Sequence, residues 1–370
     1  MASQPQIPKE MRAIQVVEFN KPYKINTVPV PQPSELAPLD LLVKVAVASN
    51  CHTDQMVSEG VFGRPLPQTA SHEGSGTVVA TGADVKGFAV GDRVMCGIPF
   101  HPCGSCKDCL GPESQKQYCM QLEGHIGVQR DGCFADYVKC DSRSTTKLPD
   151  AVTFQSAAPL ACAGRTVWRA VLQAGLKKGE WLGIVGSGGG LGHLGVQFAK
   201  ALGLQVVGVD ARDEGLELSK HYGADIVADA RKGKEGVVKE VHAVTNGEGV
   251  DATVNLSDHQ DAAAIACAVT KMHGTMVQIA QPDNIVIPFP EIIFRDIRVR
   301  GSLISSAEES KSMLDCIAEH GVTVTTQPFQ GLDKIGELTE LVHGGKLKGK
   351  AIIIVDPEQV EHEKKIGAKF

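Results

Sequence analysis

Between residues 181 and 280 short apolar runs alternate with stretches of helical periodicity, and no other feature of the chain restricts its fold as tightly. The runs "WLGIVG", "QVVGVD", "DIVADA", "VDATVNL" and "GTMVQIA" read as strands, and "GGLGHLGVQFAKALG", "GVVKEVHAVT" and "QDAAAIACAVTK" carry apolar residues at helical spacing. This alternation predicts a doubly wound parallel sheet of Rossmann type. Upstream, "LLVKVAVAS", "GSGTVVATG", "GDRVMCGI" and "CFADYVKC" lie between glycines and prolines, which predicts an irregular, mainly antiparallel β-barrel. Downstream come "VRGSLI", an amphipathic helix around "AEESKSMLDCIAEHG" and the strand "AIIIV". The charged end "EQVEHEKKIGAKF" reads as a solvated terminus. A chain of 370 residues exceeds one small core, so an α/β fold of two domains follows, with expected boundaries at 1–162, 163–300 and 301–370.

The first strand of the alternating region runs into a glycine loop, Gly186-Ser187-Gly188-Gly189-Gly190-Leu191-Gly192, that opens the next helix. Backbone amides at such a strand-to-helix turn can hold a pyrophosphate. Ser187 stands where the fingerprint has its first glycine, and the one literal G-x-G-x-x-G, Gly190 to Gly195, is expected to begin inside the helix and to be accidental. A tight turn alone would also use these glycines. The dinucleotide reading is favoured by Asp210, which ends the next strand about twenty residues on and is placed to accept ribose hydroxyls. Its charge repels a 2'-phosphate and favours NAD, while the nearby Arg212 keeps NADP open.

Eleven cysteines, an odd number, do not suggest a disulfide framework, and the N-terminus carries no apolar export signal. The expectation is a cytoplasmic protein with reduced thiols. Cys103, Cys106, Cys109 and Cys119 cluster in a loop with the spacing C-x2-C-x2-C followed by one more thiol. Four thiolates around one Zn2+ close its shell, so this site is structural; His101 is an alternative ligand. Three further groups, "SNCHTD", "SHEGSG" and "PLACAGRTVW", each end an apolar run, and Cys51, His72 and Cys162 would form a second zinc site with an open fourth position. A net charge of −6 offers no basic face for nucleic acid, and no apolar run is long enough to span a membrane.

With "CHTD", "HEGSG", "CGSCKDC", "PLACAGRTVWRA", "GGLGHLGVQFAK", "VVGVD" and "GKLKGK" in order along nearly the whole chain, the sequence resembles the zinc-dependent medium-chain alcohol dehydrogenases of the cytosolic yeast and fungal type. The resemblance implies a GroES-like catalytic domain around a Rossmann domain, two zinc ions and NAD. It assigns the catalytic zinc to Cys51, His72 and Cys162, with Glu73 beside the metal and Asp54 orienting His72 from behind. It gives Thr53 the alcohol proton, places His52 and Lys350 near the cofactor phosphates, and implies reversible hydride transfer between an alcohol and its aldehyde. A homodimer or homotetramer is implied as well.

Departures from the family pattern shape the remaining expectations. Met56 stands where a histidine commonly ends the proton relay, and Lys350 replaces an arginine. The last two lobe cysteines are separated by nine residues, two more than is usual. Met56, Phe62 and Phe100 are the candidate pocket residues, which points to a primary alcohol larger than ethanol. Two alternatives carry different chemistry. A zinc-free quinone or enone reductase would need neither Cys51 nor Cys162, and a non-catalytic NAD-binding scaffold would keep only the four-cysteine staple.

Overall fold

The computed structural model describes residues 6–370. They form two compact units, one of the residues up to Ala163 together with Ser305–Phe370, the other of Gly164–Ile304.

The second unit is built on a six-stranded parallel sheet in the order Ile226–Asp229, Gln205–Asp210, Trp181–Val185, Val250–Asn255, Thr270–Gln278, Arg298–Gly301. Its strands bury Leu182, Ile184, Val206, Val207, Val209, Ala252, Val254 and Met276 completely. Apolar clusters cover both faces, one beneath the helices Gly233–Val244 and Ala262–Val269, the other beneath Arg165–Gln173 and Gly192–Ala201. The inner strands of such a sheet are covered on both faces and read as near-continuous apolar runs, whereas the edge strand Arg298–Gly301 is exposed along its length. The strand order reverses at Trp181–Val185, and the glycine loop leaves that strand at its carboxyl end, where sheets of this type bind ligands.

In the first unit the long strand Asp40–Ser49 pairs antiparallel with Glu73–Thr81, Tyr137–Asp141 and Lys350–Ile354. Ile14, Leu41, Val43, Val45, Val78, Val94, Phe134 and Ile353 fill the core. The register sets Ser49 opposite both Glu73 and Ile352. Three segments distant in sequence therefore end side by side, and the candidate site is assembled there.

The C-terminus differs from the sequence expectation. It forms the helix Pro357–Lys365, capped by Asp356 and anchored by buried Val360 and Glu363. Glu363 accepts the Phe154 N–H at 2.8 Å and pairs with Arg93 at 2.5 Å, so a charge in this segment serves the interior. Among the described residues no helix is long and apolar enough to cross a membrane.

Candidate functional site

Cys51 caps the helix His52–Ser58 just after the Asp40–Ser49 strand, and His72 directly precedes Glu73–Thr81. Cys162 lies in the π-helical turn Leu160–Gly164, an irregularity of the kind that often marks functional positions. The fold brings the donor atoms of Cys51, His72, Glu73 and Cys162 within 4.8 Å of one another. His72 Nδ1 is buried without a hydrogen-bond partner. Two thiols and an imidazole at this separation form a borderline-soft donor set that fits Zn2+ with an open position.

Electrostatics around the group are unusual for a buried place. The contact with Cys162 pulls the Cys51 thiol well below its ordinary pKa, with further pull from Lys350 and His72. Burial opposes charge on His72, yet the Cys51 sulfur beside it prevails and raises the imidazole to about 9. Burial pushes the Asp54 carboxyl up to about 6. Asp54 Oδ1 stands 3.8 Å from His72 Nδ1, beyond hydrogen-bond range. Its bonds go to backbone instead, from Cys51 N–H at 2.8 Å and Ser71 N–H at 3.0 Å. Thr53 Oγ1 lies 3.9 Å from Cys51 Sγ, while His52 is exposed at the start of the helix.

Lys350 departs from the role implied by resemblance. Only 5 % exposed, it sets Nζ 3.0 Å from Glu73 Oε1 and 2.8 Å from Oε2, and so is the counter-ion of a buried carboxylate. Burial raises Glu73 to about 7 despite this partner. The pairing could not be read from spacing, because it exists only where Lys350–Ile354 joins the end of Asp40–Ser49.

Of the pocket candidates, Met56 is half-buried and Phe62 is 37 % exposed on a loop. Phe100 does not fit that role. It is 4 % exposed in the barrel core and stacks on His101 at 3.9 Å. His101 likewise turns from the cysteines to Asp40 at 2.6 Å and Glu123 at 3.1 Å.

The cysteine lobe meets a geometric test. Four sulfurs about 2.3 Å from a central Zn2+ at tetrahedral corners stand roughly 3.8 Å apart. The separations are 3.9 Å for Cys103 and Cys109, 3.8 Å for Cys106 and Cys119, and 3.7 Å for Cys103 and Cys119. Backbone N–H groups of Cys106 and Cys109 point at the sulfurs of Cys103 and Cys106, and donors from Ser105 and Cys106 draw the Cys103 thiol down to about 6. Cys109 moves the other way, pushed up to about 12 by burial and the neighbouring sulfurs, so the thiols crowd one another until a cation stands between them.

In the other unit Asp210 ends its strand with its carboxylate held by three backbone amides. Oδ2 accepts from Gly188 at 2.9 Å, and Oδ1 accepts from Ala211 at 2.9 Å and Arg212 at 3.0 Å. Arg212 folds back to donate to the Gly188 carbonyl at 3.3 Å. Ser187 turns its hydroxyl inward to Ser219 at 2.6 Å, so the non-glycine residue fits the loop from below. A Cβ on Gly188 would meet Gly215 backbone at 2.0 Å, and one on Gly215 would meet the Asp210 carboxyl at 2.4 Å. Gly215 is a supporting residue that the sequence reading missed. The helix Gly192–Ala201 begins beyond Gly190, so the literal motif starts in the loop rather than inside the helix. A Cβ on Gly195 would stand 2.8 Å from Val167 Cγ2 on the helix Arg165–Gln173 and 3.4 Å from Ile184 Cδ1 on the strand beneath, so this glycine serves close helix–helix packing first and the helix–strand approach of a fingerprint glycine second.

Residues 37–150 match the family model described as alcohol dehydrogenase GroES-like domain, and residues 190–319 match zinc-binding dehydrogenase. An alcohol dehydrogenase of Geobacillus stearothermophilus is 35% identical over 93% of this chain and 98% of its own length. Alcohol dehydrogenase 1 of Emericella nidulans is 32% identical over 93% of this chain and 97% of its own. The crystal structure of the Aeropyrum pernix alcohol dehydrogenase superposes with a TM-score of 0.83 at 30% identity, covering 93% of this chain and 99% of that one. The chain belongs to the zinc-dependent medium-chain alcohol dehydrogenase family.

Proposed function

We propose that this protein is a zinc-dependent alcohol dehydrogenase that moves hydride reversibly between an alcohol and NAD, with a primary alcohol or its aldehyde as substrate. One observation carries the reading: Cys51, His72 and Cys162, far apart in sequence, converge as a complete open donor set. A quinone or enone reductase of the same frame would have no use for it. Cys51, His72 and Cys162 would hold the catalytic ion, and Cys103, Cys106, Cys109 and Cys119 the structural one. A zinc ion in the open site acts as a Lewis acid that lowers the pKa of an alcohol bound beside it. In this reading Thr53 takes the alcohol proton, and Asp54 holds the backbones on either side through Cys51 and Ser71. Residues 186–192 cradle the cofactor pyrophosphate, with Asp210 accepting from the adenosine ribose. The carboxylate of Asp210, only 6 % exposed, disfavours a 2'-phosphate, and Arg212 is occupied with the loop.

Self-association fits the surface. Phe289, Ile293 and Phe294 are 66 to 70 % exposed beside the open edge strand Arg298–Gly301. An apolar group of this kind next to an unpaired strand favours a homo-oligomer. The free thiols suit the reducing cytoplasm. Zinc per chain tests the assignment: about two for the dehydrogenase, one for a stapled scaffold, none for a zinc-free reductase.

A further inference from the structure

Six non-glycine residues among those described have positive φ, and Ser71 differs from the other five. Asn20, His101, Asn246, His273 and Asp296 are types that tolerate the left-handed region, and none is fully buried. Ser71, at φ +68°, has no solvent exposure and directly precedes His72. A left-handed serine in the interior persists only where its surroundings hold it.

Every polar group of Ser71 is used. Its N–H donates to Asp54 Oδ1 at 3.0 Å, and its carbonyl accepts from Cys133 N–H at 2.6 Å. Its hydroxyl donates to the Ser49 carbonyl at 2.8 Å and accepts from Glu73 N–H at 3.3 Å. Ser49 and Glu73 are opposed in the ladder where that ladder ends, two residues before Cys51 and one after His72. The hydroxyl therefore ties together the segments that carry two of the three donors. Gly127 and Gly132 press on the other side, since a Cβ on either would come within 2.0 to 2.5 Å of the Ser71–His72 backbone.

We infer that Ser71 is a positioning residue for the open metal site: its left-handed backbone swings His72 out of the strand direction, and its hydroxyl fixes His72 relative to Cys51. The inference rests on the reading of Cys51, His72 and Cys162 as metal ligands.

Two variants separate this role from simple packing. Ser71→Ala keeps the unfavourable backbone and loses the hydroxyl; Ser71→Gly relieves the backbone and also loses the hydroxyl. Each is loaded with Co2+ at both sites, and the d–d absorption and the rate of cobalt release to a chelator are followed together with the thermal midpoint. The four-cysteine site serves as internal control. Both variants are expected to release cobalt from the open site on the order of 10-fold faster, with an altered d–d spectrum and unchanged release from the lobe, as for loss of other groups that orient ligands. Ser71→Gly should do so at a midpoint near that of the wild type. Wild-type spectrum and release in Ser71→Gly would overturn the inference while leaving the metal site standing. A wild type that takes up cobalt only in the lobe would overturn both.

Discussion

Replacing Lys350 with methionine keeps the aliphatic stem and removes the charge, and the consequence can be worked from the site. Glu73 is fully buried, and besides pairing with Lys350 its carboxylate accepts from the Ala163 N–H at 3.3 Å. Breaking a buried ion pair from one side costs up to about 3–5 kcal/mol where the carboxylate is charged, so the effect is sought above the Glu73 value of about 7; below it protonation relieves the loss. Removing both charges is far cheaper. Lys350→Met with Glu73→Gln should recover at least ~2 kcal/mol of the single-variant loss, a coupling within reach of a double-mutant cycle. Urea unfolding of zinc-loaded protein, followed by far-ultraviolet circular dichroism, reads the cycle. Tryptophan fluorescence does not serve, since Trp168 and Trp181 both lie in the Gly164–Ile304 unit. If Lys350→Met unfolds at the wild-type urea concentration and instead binds NADH more weakly, the ammonium serves the cofactor and the buried-pair argument fails.

Cys106→Ser should lose one zinc per chain and lower the thermal midpoint, read by elemental analysis and calorimetry; unchanged values would remove the staple. Asp210→Ala should weaken NADH binding and raise the NADPH-to-NADH preference in fluorescence titrations, because the 2'-phosphate no longer meets a carboxylate. A wild type that already prefers NADPH would contradict that assignment. Met56→His supplies a proton acceptor that titrates near neutrality and should raise alcohol oxidation most there, by ~10-fold or less. The pH series of kcat needs a deuterium isotope effect as proof that hydride transfer limits the rate. Under that condition superimposable profiles would mean that Met56 only lines an apolar surface.

How much of this could be read in the sequence depended on how local each signal was. The strand-and-helix alternation and the four clustered cysteines carry their meaning within a few tens of residues, and the parallel sheet and tetrahedral lobe follow directly. Cys51, His72 and Cys162 are separated by intervals that any fold could hold, so motif resemblance supplied what periodicity could not. Lys350 and Ser71 owe their surroundings to a ladder between distant strands, and nothing near them in the chain announces it. Phe100 looked like a pocket residue because aromatics suit pockets, but its short strand turns it into the barrel core. The C-terminal segment looked solvated because it is charged; its start signal, Asp356 followed by Pro357, is that of a capped helix, and Val360 with Glu363 forms its buried face.

The central claim is that hydride passes from an alcohol carbon to NAD in a zinc-loaded active site. Incubating the zinc-loaded protein with NAD and a primary alcohol deuterated at C1, chosen from an aliphatic and aromatic panel, and weighing the nicotinamide product by mass spectrometry tests it most directly. The account predicts NADH one mass unit heavier from the deuterated alcohol, and none from Cys51→Ser. Failure of every alcohol in the panel to transfer deuterium, while the same protein reduces a quinone or enone with unchanged rate after zinc removal, would contradict it.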